Sequence, residues 1–123
     1  MEKTVLVVED DDNLRRMFRV VLEQEGFRVL DAADGLAGLK LALTESPDCI
    51  ITDSMMPRVG GIRLLRELRV RETLRTPAIL VTAAAQVPPD WELQEVGVDR
   101  VVTKPFTFDT LLAVLRESLG EME

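Results

Sequence analysis

The stretch TVLVVEDDD, residues 4–12, passes from an apolar, β-branched run directly into four carboxylates. A short apolar run of this kind is typical of a strand that is buried on both faces, as the strands of parallel sheets are. Three similar runs follow at 49–52, 79–82 and 101–103, and Val29-Leu30 is a shorter one. The sequence therefore predicts five buried strands, the first of which ends in an acidic segment.

Segments with helical periodicity separate these runs. Their apolar residues recur three or four positions apart, which predicts helices that pack one face on a sheet. Gly26 ends the first helix, and a short fourth helix is expected at 90–96, after Pro88 and Pro89. We expect the leucine stripes to lie in the core. The apolar positions of the four longer helices are Leu14, Met17, Phe18, Val21 and Leu22; Leu36, Leu39 and Leu43; Gly61, Leu64, Leu65 and Leu68; and Phe108, Leu111, Leu112, Leu115 and Leu119.

Five strands that alternate with five helices predict an α/β fold with a parallel sheet covered on both faces. Because crossover connections are right-handed, the sheet should be doubly wound, and the common order for five strands is 2-1-3-4-5. This is a flavodoxin-like arrangement in which ligands bind beyond the carboxyl ends of strands 1 and 3. With no linker or repeat in its 123 residues, the chain is expected to form one domain over 1–123.

The composition excludes several classes of function. The single cysteine, Cys49, excludes an internal disulfide and a Cys-rich zinc site, and is expected in the core. The absence of histidine excludes every His-based metal site or catalytic triad. A net charge of −7 argues against a broad nucleic-acid-binding face. No apolar run approaches the roughly 18–20 residues of a membrane span, and no signal peptide is apparent, so a cytoplasmic protein is expected.

Polar residues follow four of the predicted strands at their carboxyl ends. Strand 1 runs into Glu9 and Asp10, strand 3 into Asp53, strand 4 ends at Thr82 and strand 5 at Lys104. The carboxyl ends of parallel strands lie at one edge of the sheet, so these side chains should converge on one crevice. Three carboxylates, one hydroxyl and one ammonium would meet there.

This set of groups suits the formation of an aspartyl phosphate. Carboxylates packed together repel one another, and oxygen ligands without His or Cys favour Mg2+ or another hard divalent ion. A metal beside Asp53 would screen its charge from a phosphoryl group and leave the carboxylate free to attack phosphorus. Lys104 and Thr82 could each bind a phosphoryl oxygen.

The motifs that carry these residues closely resemble those of bacterial response-regulator receiver domains. The resemblance extends from about Lys3 to Leu119, with every motif in the same order and at similar spacing. The motifs are VVEDD at 7–11, DSMMP at 53–57 followed by Gly61, VTA at 81–83 and TKPF at 103–106. No single motif is decisive, but together they are very specific.

The resemblance implies a role for each matching residue. Asp53 would be the phosphoacceptor and a ligand of Mg2+. Asp10 would bind the metal directly, Glu9 through a water molecule, and Met55 through its backbone carbonyl.

A second group of positions would belong to the switch. Thr82 matches the switch hydroxyl, with Ala83 after it, and Lys104 matches the phosphate-binding lysine. Lys104-Pro105 would be a cis peptide bond. Val101 stands where many relatives have an aromatic residue that rotates on activation, which puts that form of coupling in doubt here.

The family implies a phosphorylation-operated switch rather than an enzyme with a separate substrate. A histidine kinase or a phosphotransfer protein would supply the phosphoryl group, and the domain would catalyse its own phosphorylation and dephosphorylation. The signal would pass to a downstream protein target or to an output domain that these residues do not include. Some regulators dimerise through the fourth helix, fifth strand and fifth helix. The segment Asp99-Arg100-Val101 and Val114 depart from the pattern of those regulators, so the oligomeric state stays open.

The same residues also allow other interpretations. Each site residue alone has an ordinary structural explanation, and Asp11 or Asp12 is expected to cap a helix. The main rival is a pseudo-receiver that binds partners without phosphorylation. Two enzymes on this fold are less favoured: a flavodoxin, because Glu9 to Asp12 would repel the FMN phosphate, and a haloacid-dehalogenase-like phosphatase, because Met55 stands where a second aspartate is required.

Overall fold

The computed structural model describes residues 2–121 of the chain. In that range, strands and helices alternate from end to end. The strands are β1 (Thr4–Val8), β2 (Arg28–Ala32), β3 (Cys49–Asp53), β4 (Ala78–Ala83) and β5 (Arg100–Lys104). The helices are α1 (Asp12–Gln24), α2 (Gly35–Glu45), α3 (Gly61–Arg71), α4 (Asp90–Glu95) and α5 (Phe108–Ser118), and one 3-10 turn, Ala84–Gln86, follows β4.

The strands form one parallel sheet in the order β2-β1-β3-β4-β5. This confirms the predicted α/β fold, strand order and alternation. The two central pairs place Val8 opposite Thr52 and Asp53 opposite Val81. The ends of β1, β3 and β4 therefore lie side by side, which is the position expected for a ligand site.

The core has one layer on each face of the sheet. One layer packs α1 and α5 against the odd-numbered residues of β3, including Cys49 and Ile51. The other packs α2 and α3 against the opposite face, which includes Ile50 and Ala78. Among residues 2–121, no helix is both long and apolar enough to cross a membrane.

The prediction that every leucine stripe lies in the core is wrong for α2. Leu36 and Leu43 are exposed, whereas the buried positions of this helix are Gly35, Gly38 and Ala42. A β-carbon on Gly38 would lie 2.8 Å from a methyl carbon of Val8, so the helix approaches the sheet along its face of small residues. Close approach of the helix axis requires small side chains there, so Leu36 and Leu43 are turned outward, while Leu39 is partly buried and packs against the core. Met17 in α1, also placed on an apolar stripe, is half-exposed as well.

Candidate functional site

The acidic segment after β1 divides into residues that build the helix and residues that face the crevice. Asp11 is the N-cap of α1 and accepts a hydrogen bond from the backbone N–H of Leu14 at 3.0 Å. Asp12 is exposed and pairs with Arg15. Capping therefore explains Asp11, as expected, and leaves Glu9 and Asp10 for the crevice.

Three of the predicted site residues are in direct contact. The ammonium of Lys104, at the end of β5, donates to Asp53 Oδ2 at 2.8 Å and to Glu9 Oε1 at 3.2 Å. The backbone N–H of Met55 donates to the other oxygen, Asp53 Oδ1, at 3.2 Å. Residues from the two ends of the chain and from its centre thus meet at one edge of the sheet.

The carboxylates of Glu9, Asp10 and Asp53 form a cluster that could hold a metal ion. One oxygen from each lies within 4.8 Å of the others. Glu9 and Asp53 are buried, while Asp10 is exposed and has no ion-pair partner among the residues that the structure describes. An all-oxygen donor set that is partly open to solvent fits Mg2+, which prefers oxygen ligands and keeps several waters.

The pKa values of both Glu9 and Lys104 are raised in this cluster. Burial raises the pKa of Glu9, and the nearby charge of Asp53 adds to this, although the N–H of Asp11 and the charge of Lys104 oppose it. Burial works against the charge of Lys104, but its hydrogen bond to Asp53 and the charge of Glu9 outweigh that effect, so its pKa is raised. Lys104 is therefore the cation that these two carboxylates share.

The loop between β3 and α3 passes close to the backbone of the site at two glycines. The N–H of Gly61 donates to the carbonyl of Ser54 at 3.1 Å. A β-carbon on Gly60 would lie 2.6 Å from that carbonyl oxygen, and one on Gly61 would lie 2.1 Å from the carbonyl oxygen of Asp53. Only glycine permits this approach, which holds the loop against the backbone carbonyls of Asp53 and Ser54.

Thr82 is the penultimate residue of β4, beside β3, but its hydroxyl is not bonded to Asp53. It lies 2.5 Å from the hydroxyl of Ser54, and both side chains are buried. Sequence reasoning missed Ser54, because a serine directly after a strand is an ordinary turn residue. The strand register brings the two hydroxyls together: Asp53 pairs with Val81, so the next residues along are Ser54 and Thr82.

The remaining switch positions surround Lys104. The Lys104-Pro105 peptide bond is cis, as expected. Val101 is half-buried on β5, and Ala83 is the last residue of β4, directly before the 3-10 turn. The roles of these residues, like those of the other site residues, stay predictions.

Comparison with known proteins agrees with the geometry. The family model of the response regulator receiver domain matches residues 5–116. The regulatory protein AtoC of Escherichia coli K12 is 38% identical over 115 residues, which are 94% of this chain and 25% of AtoC. The chain spans about a quarter to about half the length of the curated relatives it matches.

Solved structures give the same result at nearly full length. The chemotaxis protein CheY4 of Vibrio cholerae is 30% identical with a TM-score of 0.88, and the match covers 96% of this chain and 99% of that one. The receiver domain of the sensor histidine kinase PA1611 from Pseudomonas aeruginosa is 28% identical with a TM-score of 0.87, over 98% of this chain and 99% of that one. The PA1611 structure has a magnesium ion coordinated in its active site cleft. The resemblance that the motifs indicated is thereby confirmed.

Proposed function

This chain belongs to the response-regulator receiver family, and we propose that Asp53 is the residue through which it is phosphorylated. One observation carries the assignment. Asp53 shares a cluster with Glu9 and Asp10 and makes the shorter of the two contacts with Lys104, at 2.8 Å against 3.2 Å for Glu9. The cation and the metal-binding oxygens that phosphoryl transfer requires therefore converge on this one side chain.

The donor is proposed to be a phosphohistidine on a sensor histidine kinase or a histidine phosphotransfer protein. One carboxylate oxygen of Asp53 forms a bond to phosphorus as the P–N bond of the donor breaks. The electron pair of that bond returns to the imidazole nitrogen, which then takes up a proton. The products are an acyl phosphate on Asp53 and a free histidine on the donor.

Mg2+ is the proposed cofactor, and the oxygen cluster fits it. Asp10 and Asp53 would bind it directly, Glu9 through a water molecule, and Met55 through its backbone carbonyl. When bound, the metal neutralises charge on the acceptor and on the phosphoryl oxygens. Lys104, freed from one of its two carboxylates, would pair with a phosphoryl oxygen.

Thr82 is proposed as the switch hydroxyl, and Ala83, Val101 and Pro105 as positions that shape its surroundings. The phosphorylated state would reorder the segment after β4 and the face formed by α4, β5 and α5. In this proposal the chain is one receiver domain in the cytoplasm. It catalyses its own phosphorylation and slow hydrolysis, and it signals to a protein target or an output domain.

Substitution of the acceptor tests this proposal. Treatment with acetyl phosphate and Mg2+ should add about 80 Da to the wild-type chain, and Asp53→Asn should abolish the gain because an amide is a poor nucleophile. Asp12→Asn, which removes an exposed carboxylate outside the cluster, is the matched control and should be labelled normally. Labelling of Asp53→Asn at the wild-type level would place the chemistry elsewhere. A wild-type chain that gains no mass would favour the pseudo-receiver.

A further inference from the structure

A buried serine hydroxyl contacts the hydroxyl group of Thr82. Ser54, directly after Asp53, places its hydroxyl 2.5 Å from that of Thr82, and either group can be the donor. We propose that Ser54 is a positioning residue that holds the Thr82 hydroxyl away from Asp53 and so opposes the switch until Asp53 is phosphorylated. This inference rests on the proposed role of Thr82 as the switch hydroxyl.

The strand register makes this contact a fixed feature of the sheet. Asp53 of β3 pairs with Val81 of β4, so the next residue on each strand falls opposite the other. The carbonyl of Ser54 is itself fixed by the N–H of Gly61. The serine hydroxyl is therefore presented to Thr82 by a backbone that is held on both sides.

The pleat of the sheet directs Thr82 away from the acceptor. Side chains alternate between faces along a strand. Asp53 therefore lies on the same face of the sheet as Ile51, which α1 and α5 cover. Thr82 lies on the same face as Ala78, which α2 and α3 cover. Because Thr82 is buried on the face opposite Asp53, its side chain must turn away from Ser54 before its hydroxyl can bond to a phosphoryl oxygen on Asp53.

Hydrogen-bond accounting gives the sign of the effect. Without a phosphoryl group, removal of the serine hydroxyl leaves the Thr82 hydroxyl buried without this partner, which destabilises the resting arrangement. With a phosphoryl group, Thr82 has a new acceptor and loses nothing when Ser54 is absent. Removing the hydroxyl of Ser54 should therefore favour the phosphorylated arrangement.

The experiment measures the affinity for beryllofluoride, a phosphoryl mimic, at saturating Mg2+. Ser54→Ala should bind the mimic about three- to tenfold more tightly than wild type, the range expected for one net hydrogen bond. In a Thr82→Ala background the same substitution should have no effect, because the group it releases is gone. Thr103→Ala, which removes an exposed hydroxyl from the adjacent strand, is the control and should leave the affinity unchanged.

The outcomes separate this inference from the proposed function. General damage to the site would weaken binding in Ser54→Ala, so tighter binding that depends on Thr82 supports the positioning role. Unchanged or weaker binding in Ser54→Ala, or an equal gain in the Thr82→Ala background, overturns that role while wild type still binds the mimic. Failure of the wild type to bind it overturns the assignment of the site, and the role of Ser54 with it.

Discussion

Lys104 shows how one residue can stabilise the site before any metal is present. Its ammonium lies between the carboxylates of Asp53 and Glu9, at 2.8 and 3.2 Å, and these contacts raise its pKa despite its burial. Asp10 shares the cluster but not the lysine, and it is exposed. A divalent ion would therefore bind Asp10 without breaking an ion pair, because Asp10 is the one carboxylate of the three that has no ion pair in the described part of the chain.

The different positions of Asp10 and Asp12 predict different effects on metal binding. We expect Asp10→Ala to weaken Mg2+ binding by about tenfold or more, because it removes a ligand oxygen. Asp12→Ala removes the same charge from a solvent-exposed position beside Arg15 and should change the affinity by about twofold or less, since exposed charges are screened. Calorimetric titration of Mg2+ into each variant measures both. Equal affinities for wild type and Asp10→Ala would contradict the ligand assignment.

The sequence indicates which residues form most of the site, but not the hydrogen-bond partner of Thr82. Glu9, Asp10, Asp53 and Lys104 could be placed together because parallel strands end at one edge of the sheet. The contact of Ser54 with Thr82 depends on the exact pairing of two strands. A shift of one residue would turn the serine to the other face, and sequence patterns locate strand ends less accurately than that.

The helix α2 shows why apolar periodicity alone misplaces a helix face. Its leucines outrank its small residues in hydrophobicity, so the pattern predicts that they face the core. The packing instead requires small residues at two positions. A β-carbon on Gly35 would lie 2.2 Å from the carbonyl oxygen of Val59, in the loop before α3, and one on Gly38 would lie 2.8 Å from a methyl carbon of Val8 in the sheet. The α3 stripe was predicted correctly, since Leu64 and Leu65 are fully buried and Leu68 is nearly so.

The helix α4 is held at one end and comparatively free at the other. At its C-terminal end the guanidinium of Arg69 donates to the carbonyls of Val96 and Gly97 at 2.9 and 2.8 Å. At its start, Pro89 is the N-cap residue and offers no side-chain cap. A displacement that begins after Thr82 should therefore move the start of α4 rather than its end.

Trp91, the only tryptophan, lies at that start and is exposed. We expect Mg2+ with beryllofluoride to change its fluorescence, because Thr82 would draw the segment after β4 inward and Pro88 and Pro89 would transmit the movement. Thr82→Ala should bind the mimic but give a smaller change, and Asp53→Asn should give almost none. Emission that stays constant in wild type at saturating mimic, or changes equally in Thr82→Ala, would contradict this route.

The central strand β3 connects the site to the core of the molecule. Asp53 ends the strand at the crevice, and Cys49 begins it four positions earlier, opposite Val5. The thiol of Cys49 is fully buried, and burial raises its pKa to about 12. A thiol reagent can reach Cys49 only when the sheet opens, so its labelling rate reports the population of the unfolded chain.

Metal binding at one end of β3 should therefore protect the thiol at the other. A ligand that binds only the folded state stabilises it by about 1.4 kcal/mol at ten times its Kd, which lowers the unfolded population about tenfold. We expect Mg2+ at that concentration to slow the labelling of Cys49 by about this factor, measured in mild denaturant with a thiol-reactive chromophore. A monovalent salt of equal ionic strength and the Asp10→Ala variant at the same Mg2+ concentration are the controls, and both should give much less protection. Equal slowing in Asp10→Ala would show that the ion stabilises the chain from somewhere other than the carboxylate cluster.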